Sequence, residues 1–134
     1  MSKDGIHIKI NEKALHERIA YAQERLDSAV MRDCNKYVPF DSNMLRQSAI
    51  INTVIGSGQI IWSTPYAHYQ YEGRAMVGVD TKSAYANKGE PKEYNGKLLN
   101  YSQGGTGDHW FVRAKKQHLK SWTETVREAL GKKR

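Results

Sequence analysis

Tyr37-Val-Pro-Phe-Asp-Ser-Asn-Met-Leu-Arg-Gln-Ser48, then Ile50-Ile-Asn-Thr-Val-Ile-Gly-Ser-Gly-Gln-Ile-Ile-Trp-Ser63, then Pro65-Tyr-Ala-His-Tyr-Gln-Tyr-Glu-Gly73 follow one another with a single residue between blocks. Pro39 fixes its own φ and pushes Val38 out of the α region, so a helix arriving from upstream stops near Tyr37. Asp41 and Ser42 can accept the first backbone N–H groups of a short helix that turns Met44, Leu45 and Ala49 inward. The two Ile-rich runs, punctuated by Gly56-Ser-Gly58, have the β-branched enrichment of an antiparallel hairpin. A two-stranded ribbon is marginal alone, so the remaining chain has to cover it.

The cover is sought in the flanks. Upstream, Leu15, Ile19, Ala22, Leu26, Ala29 or Val30, Cys34 and Tyr37 recur at three- and four-residue intervals behind an Asn11 cap. Glu17, Arg18, Glu24, Arg25, Asp27 and Arg32 occupy the opposite face. Downstream, Asp108 is placed to cap a second amphipathic helix bearing Trp110, Phe111, Ala114, His118, Trp122, Val126 and Leu130, which Gly131 ends. That stripe packs either on the free face of the sheet or against the first helix. At the N-terminus, Ile6-His-Ile-Lys-Ile10 alternates as a short half-buried strand able to pair with the hairpin edge. The expected fold class is therefore α+β: a small antiparallel β-sheet covered by a long N-terminal helix and a C-terminal amphipathic helix. Leu15, Ile19, Leu26, Ile61, Trp110 and Trp122 are its expected core. Residues 1–134 form one domain, with 74–107 as an extended arm or loop insertion that has room for two short strands.

Composition narrows the function. The 134 residues carry 21 Lys and Arg against 14 Asp and Glu, a formal charge of +7. Much of the excess lies after Asp108, where Arg113, Lys115, Lys116, Lys120, Arg127, Lys132, Lys133 and Arg134 outnumber the acids. A solvated helix face, proximity to DNA and an acidic protein partner all remain compatible with that distribution. No apolar run reaches the length of a membrane span, and the first residues have no stretch of signal-peptide length. The lone Cys34 excludes an intrachain disulfide and reads as a buried, inert thiol. His7, His16, His68, His109 and His118 show no ligand spacing, and no nucleophile elbow or phosphate loop is present, so neither a metal nor a cofactor is expected. Gly104-Gly-Thr-Gly107 lacks the strand that precedes a dinucleotide fingerprint and reads as a joint into the last helix. The tyrosines at 85, 94 and 101, mixed with lysines, suit base stacking and protein contact alike.

The order of these segments resembles the minor capsid and head-tail joining proteins of long-tailed bacteriophages. Their pattern is a V-P-x-D-T-G-x-L-R-x-S block, a hairpin, P-Y-A-x-Y-x-x-x-G and a C-terminal helix. Val38, Pro39, Asp41, Leu45, Arg46 and Ser48 match the first block, with Asn43 where Gly is usual. Pro65, Tyr66, Ala67, Tyr69 and Gly73 match the next, and Trp110-Phe-Val-Arg-Ala-Lys115 opens the closing helix. The resemblance implies a non-enzymatic structural protein of the virion neck, of the tail-completion type, assembled in the host cytoplasm. It implies a homo-oligomeric ring, taken as a hexamer, between a connector or stopper protein on the head side and a tail terminator or tail tube protein. Genomic DNA would pass non-specifically through the lumen, and no membrane partner is implied. Tyr66, Tyr69, Tyr71, Tyr85, Tyr94 and Tyr101 are then the expected interface residues, and Lys82, Lys88, Lys92 and Lys97 the expected basic lining of the channel. A small basic DNA-binding accessory protein is the alternative, and a hydrolase a more distant third.

Overall fold

A computed structural model describes residues 5–40, 43–80, 82, 89, 91–99, 101 and 104–131, with backbone alone given at 74–78, 92 and 94–97. Helix α1 spans Glu12–Asn35, α2 Met44–Asn52, α3 Ala67–Glu72 and α4 Trp110–Gly131. Strands β1, Arg74–Gly78, and β2, Lys92–Leu98, lie between α3 and α4.

The long helix starts where its cap predicts. Asn11 Oδ1 accepts from the Ala14 N–H at 3.0 Å, and the helix ends at Lys36, just ahead of the Val38-Pro39 pair. Helix α4 returns antiparallel along α1, so that His118 meets Tyr37 and Trp122 meets Asp33. Between them lies a core of Ala29, Cys34, Val38, Leu45, Ala67, Trp110, Ala114 and Trp122, with Leu26, Trp62 and Tyr71 partly buried against it. The small alanines allow close approach of the helices, and the indoles fill the space that remains.

This arrangement overturns the expected α+β class. The protein is mainly helical, and its core is a contact between helices with no β-sheet layer. Residues 50–52 are the last turn of α2, and 53–63 form an irregular connection turning at Gly56 and Gly58, whose φ values are +99° and +79°. The physical reason lies in who takes the backbone donors. Asp27 Oδ2 accepts from the N–H groups of Gly56 at 2.8 Å and Gly58 at 3.0 Å. Thr53 Oγ1 accepts from Ile61 N–H, and Ser48 Oγ accepts from Ser63 N–H. Donors that a hairpin ladder would use are bonded to side chains, and no ladder forms.

Three further expectations change with it. Asp27, assigned to the polar face of α1, is buried because it serves that turn. Leu15, Ile19 and Ile61, expected in the core, are 48%, 50% and 41% exposed, since no element among the described residues covers the first turns of α1 or the outer side of the 59–63 segment. Residues 6–10 form no strand, there being no hairpin edge to receive them. The only pairing among the described residues is antiparallel β1 with β2, with Met76 opposite Tyr94, Gly78 opposite Lys92, and an irregularity between Arg74 and Met76. It forms the base of the 74–107 segment.

The blocks that carried the family resemblance turn out to be the joints of the fold. Asn43 has φ 61°, the left-handed backbone for which Gly is usual; Asp41 and Ser42 lie outside the described residues. Arg46 Nε donates to the Val38 carbonyl at 2.8 Å, with its guanidinium 4.1 Å from the Phe40 ring centroid, so it holds the Val38–Phe40 bend. Ser48 Oγ donates to the Leu45 carbonyl at 2.6 Å while accepting from Ser63. Gly73 has φ +73°, and a Cβ there would stand 2.7 Å from Asp108 Oδ2, so its match to the motif is a steric requirement.

Replacing Asp27 by Ala leaves two part-buried glycine N–H groups without their acceptor and is expected to cost about 1–3 kcal/mol. Urea unfolding followed by far-UV circular dichroism measures this. Asp27→Asn, which keeps one acceptor oxygen, should lose less.

Candidate assembly surfaces and the buried carboxylate

Two kinds of feature stand out from the fold: an enclosed polar cluster inside the α1–α4 contact, and a large share of apolar surface outside it.

The cluster centres on Asp33, whose side chain is 3% exposed. Its Oδ2 accepts from Trp122 Nε1 at 2.8 Å. Lys36 Nζ stands 3.0 Å and Arg32 Nε 3.3 Å from Oδ1, and His118 Nδ1 is 3.8 Å from Oδ2. Burial pushes the Asp33 carboxyl up, but the hydrogen bonds from Trp122, Lys36 and Arg32 more than offset it and bring the pKa from 3.8 to about 2. The adjacent Cys34 is fully enclosed; burial first, and then the Asp33 charge, push its thiol up to about 12. A thiol held protonated in this way is no nucleophile, as its sequence context suggested. No group of three or more potential metal ligands occurs among the described residues.

The pinned Trp122 also forms one wall of an open groove of about 750 Å³. Leu26 and Val30 of α1 face Phe111, Leu119 and Val126 of α4 across it, and Gly58, Ile60 and Trp62 close the third side. Phe111 stacks on Trp122 at 6.1 Å between centroids and 17° between planes. Trp62 and Tyr71 meet the Trp110 ring edge-on at 5.6 and 4.7 Å. Outside the groove, Ile50, Ile51 and Val54 at the end of α2 are 62%, 77% and 71% exposed. These are the residues whose β-branched run suggested a strand. Their apolar character belongs to a surface, and no periodicity argument separates those two cases.

The tyrosines named from sequence divide. Tyr71 is half-buried against Trp110 and lines the groove, and burial raises its pKa. Tyr66 packs at the edge of the core and faces Tyr69 at 6.4 Å. The Tyr101 hydroxyl donates to the Gln70 carbonyl at 2.6 Å, tying the end of the 74–107 segment to α3, and burial pushes it up to about 12. Tyr94 lies in β2 opposite Met76, while Tyr85 falls outside the described residues. Of the lysines, Lys82 is exposed and paired with Glu93, Lys92 and Lys97 lie in β2, and Lys88 is outside the described residues. Lys116, Lys120 and Arg127 form an exposed basic side of α4, whereas Lys115 lines the groove beside Phe111 and Leu119. Asp108, expected as the α4 cap, binds the Arg113 guanidinium, and that bond chiefly lowers its pKa. Sequence reasoning missed Asp33 and the groove, because a single acid in a charged helix carries no mark of the indole that meets it.

A family model described as minor capsid protein matches residues 5–130. Comparison with curated proteins finds no match, and comparison with solved structures finds none.

Because Asp33 is more acidic folded than unfolded, its contribution is fully present above the unfolded value of about 3.8 and disappears as the pH falls toward about 2. The shift corresponds to about 2 kcal/mol. Trp122→Phe removes the indole donor, so it is expected to lower stability at pH 7 by about 1–3 kcal/mol. It should also narrow the gap between urea midpoints at pH 7 and pH 3.

Proposed function

The chain belongs to the bacteriophage minor capsid protein family, whose members are structural components of the virion, and from that premise we propose that it works as a joint at the virion neck. In this reading several copies form a ring between the portal-side connector and the tail, around the path of the DNA. The carrying observation is the exposed apolar surface: residues 6–10, the end of α2 and the groove beside α4 present large hydrophobic side chains on separate parts of one small domain. Separate patches are what a head-to-tail ring contact requires, because each copy meets its two neighbours through different surfaces. The groove is walled mainly by Leu, Val, Ile, Phe and Trp, with Gln23, Asp27, Lys115 and Thr123 among them, and an apolar surface of this kind suits packing against another chain.

The basic side of α4 fits the same reading. Lysines and arginines facing a lumen attract the DNA backbone without reading its sequence. A DNA-binding accessory protein would use the same charges but has no need of the apolar patches, so the ring is preferred.

Mass measurement of the purified chain, alone and with connector and tail proteins, tests the proposal: assemblies of defined copy number are expected. A chain that stays monomeric in every mixture, yet retards DNA in a salt-dependent gel shift, supports the accessory reading and sinks the ring. Replacing residues 80–90 by a two-residue Asn-Gly turn between β1 and β2 should keep the melting temperature within a few degrees. Phage carrying that deletion is expected to accumulate separate heads and tails, visible by electron microscopy.

A further inference from the structure

Residues 6–10 have an unusual position: Ile6, Ile8 and Ile10 are 90%, 81% and 71% exposed, three β-branched side chains at alternate positions with nothing over them. The family match begins at residue 5, so this segment belongs to the shared domain. An uncovered, strand-patterned apolar segment is a template for pairing with another chain.

We propose that Ile6–Ile10 of one copy lies in the groove between α1 and α4 of the next, as a strand added beside residues 58–62. The receiving edge has the matching period. Gly58, Ile60 and Trp62 line the groove while Gln59 and Ile61 are exposed, an alternation of two that a pairing strand shares. The N–H groups of Gln59, Ile61 and Ser63 are bonded to Ser57, Thr53 and Ser48. Those of Ile60 and Trp62, which point to the other side of an extended segment, have no partner among the described residues. An incoming strand supplies their acceptors and directs alternate isoleucines toward Leu26, Phe111 and Leu119. His7 and Lys9, on its other face, stay in water.

The occupant has to come from a second copy. Asn11 caps α1, and the nearest groove residue of that helix, Gln23, lies about three turns further on, roughly 18 Å away. An extended chain running back from the cap advances about 3.4 Å per residue, so Ile10 and Ile8 reach only about 3 and 10 Å. Only Ile6, at about 17 Å, has the reach to arrive at the near end of its own groove. Between copies this limit vanishes, and segment-to-groove contact is heterologous, the type that closes into a ring. The inference rests on the self-association in the neck reading and specifies its contact.

The test uses the full chain with Ile8→Cys and Leu119→Cys; Cys34 is enclosed and does not compete. Mild oxidation should give a covalent ladder on non-reducing gels. A disulfide closed within a monomer overturns the proposal, and so does the absence of any disulfide in an assembly that persists. As an independent arm, Ile8→Asp is expected to weaken association at least about tenfold, with unchanged far-UV circular dichroism. Undiminished assembly of that variant removes the segment as the contact but leaves the ring. A wild-type chain that never associates removes both.

Discussion

Asp33 sits inside the contact of the two long helices and stays ionised there. An enclosed carboxylate is tolerated only when its oxygens are bonded, and here the indole of Trp122, from 89 positions along the chain, reaches one oxygen while Lys36 and Arg32 hold the other. That requirement sets how α4 lies along α1, because a slide of one turn carries Trp122 about 5 Å past its acceptor. The hydrophobic contacts around Ala29, Ala114 and Trp110 supply most of the adhesion, but they are non-directional. The hydrogen bond selects one register from those that adhesion permits. With the register set, Trp122 is held upright, Phe111 stacks on it, and the groove acquires a rigid wall.

A second carboxylate on α1 does comparable work two turns earlier. Asp27 organises the Gly56–Gly58 turn, so the connection between α2 and α3 is folded onto α1 by side-chain acceptors. Ser48 and Thr53 extend the same logic to Ser63 and Ile61. The connection thus has the N–H groups of Gln59, Ile61 and Ser63 bonded within the monomer, while Ile60 and Trp62 line the groove. Arg46 and Gly73 complete the joints, one holding the bend at Val38 and the other leaving room for Asp108. Arg46, Ser48 and Gly73, which fit the family pattern quoted from sequence, are among these joints.

The result is a domain whose interior is modest and whose apolar exterior is extensive. A small mainly helical chain that leaves Ile6, Ile8, Ile51 and Val54 in water carries surface that only association removes. The basic side of α4 lies on the same molecule, so protein contact and attraction for a nucleic-acid backbone need not compete for one face.

What the sequence alone determined was local. The Asn11 cap, the stop before Pro39 and the two long amphipathic helices each depend on neighbours within a turn or two, and each appears in the structure. The family order of the joints was legible for the same reason. The fate of 50–63 was decided only by tertiary structure: its β-branched residues suit a strand or an exposed face equally, and the choice fell to acceptors at Asp27, Ser48 and Thr53, which take the N–H groups a ladder would use. Nor can periodicity reveal that Leu15 and Ile19 lie where no element arrives to cover them, because a helical stripe records which residues share a side and not what stands opposite.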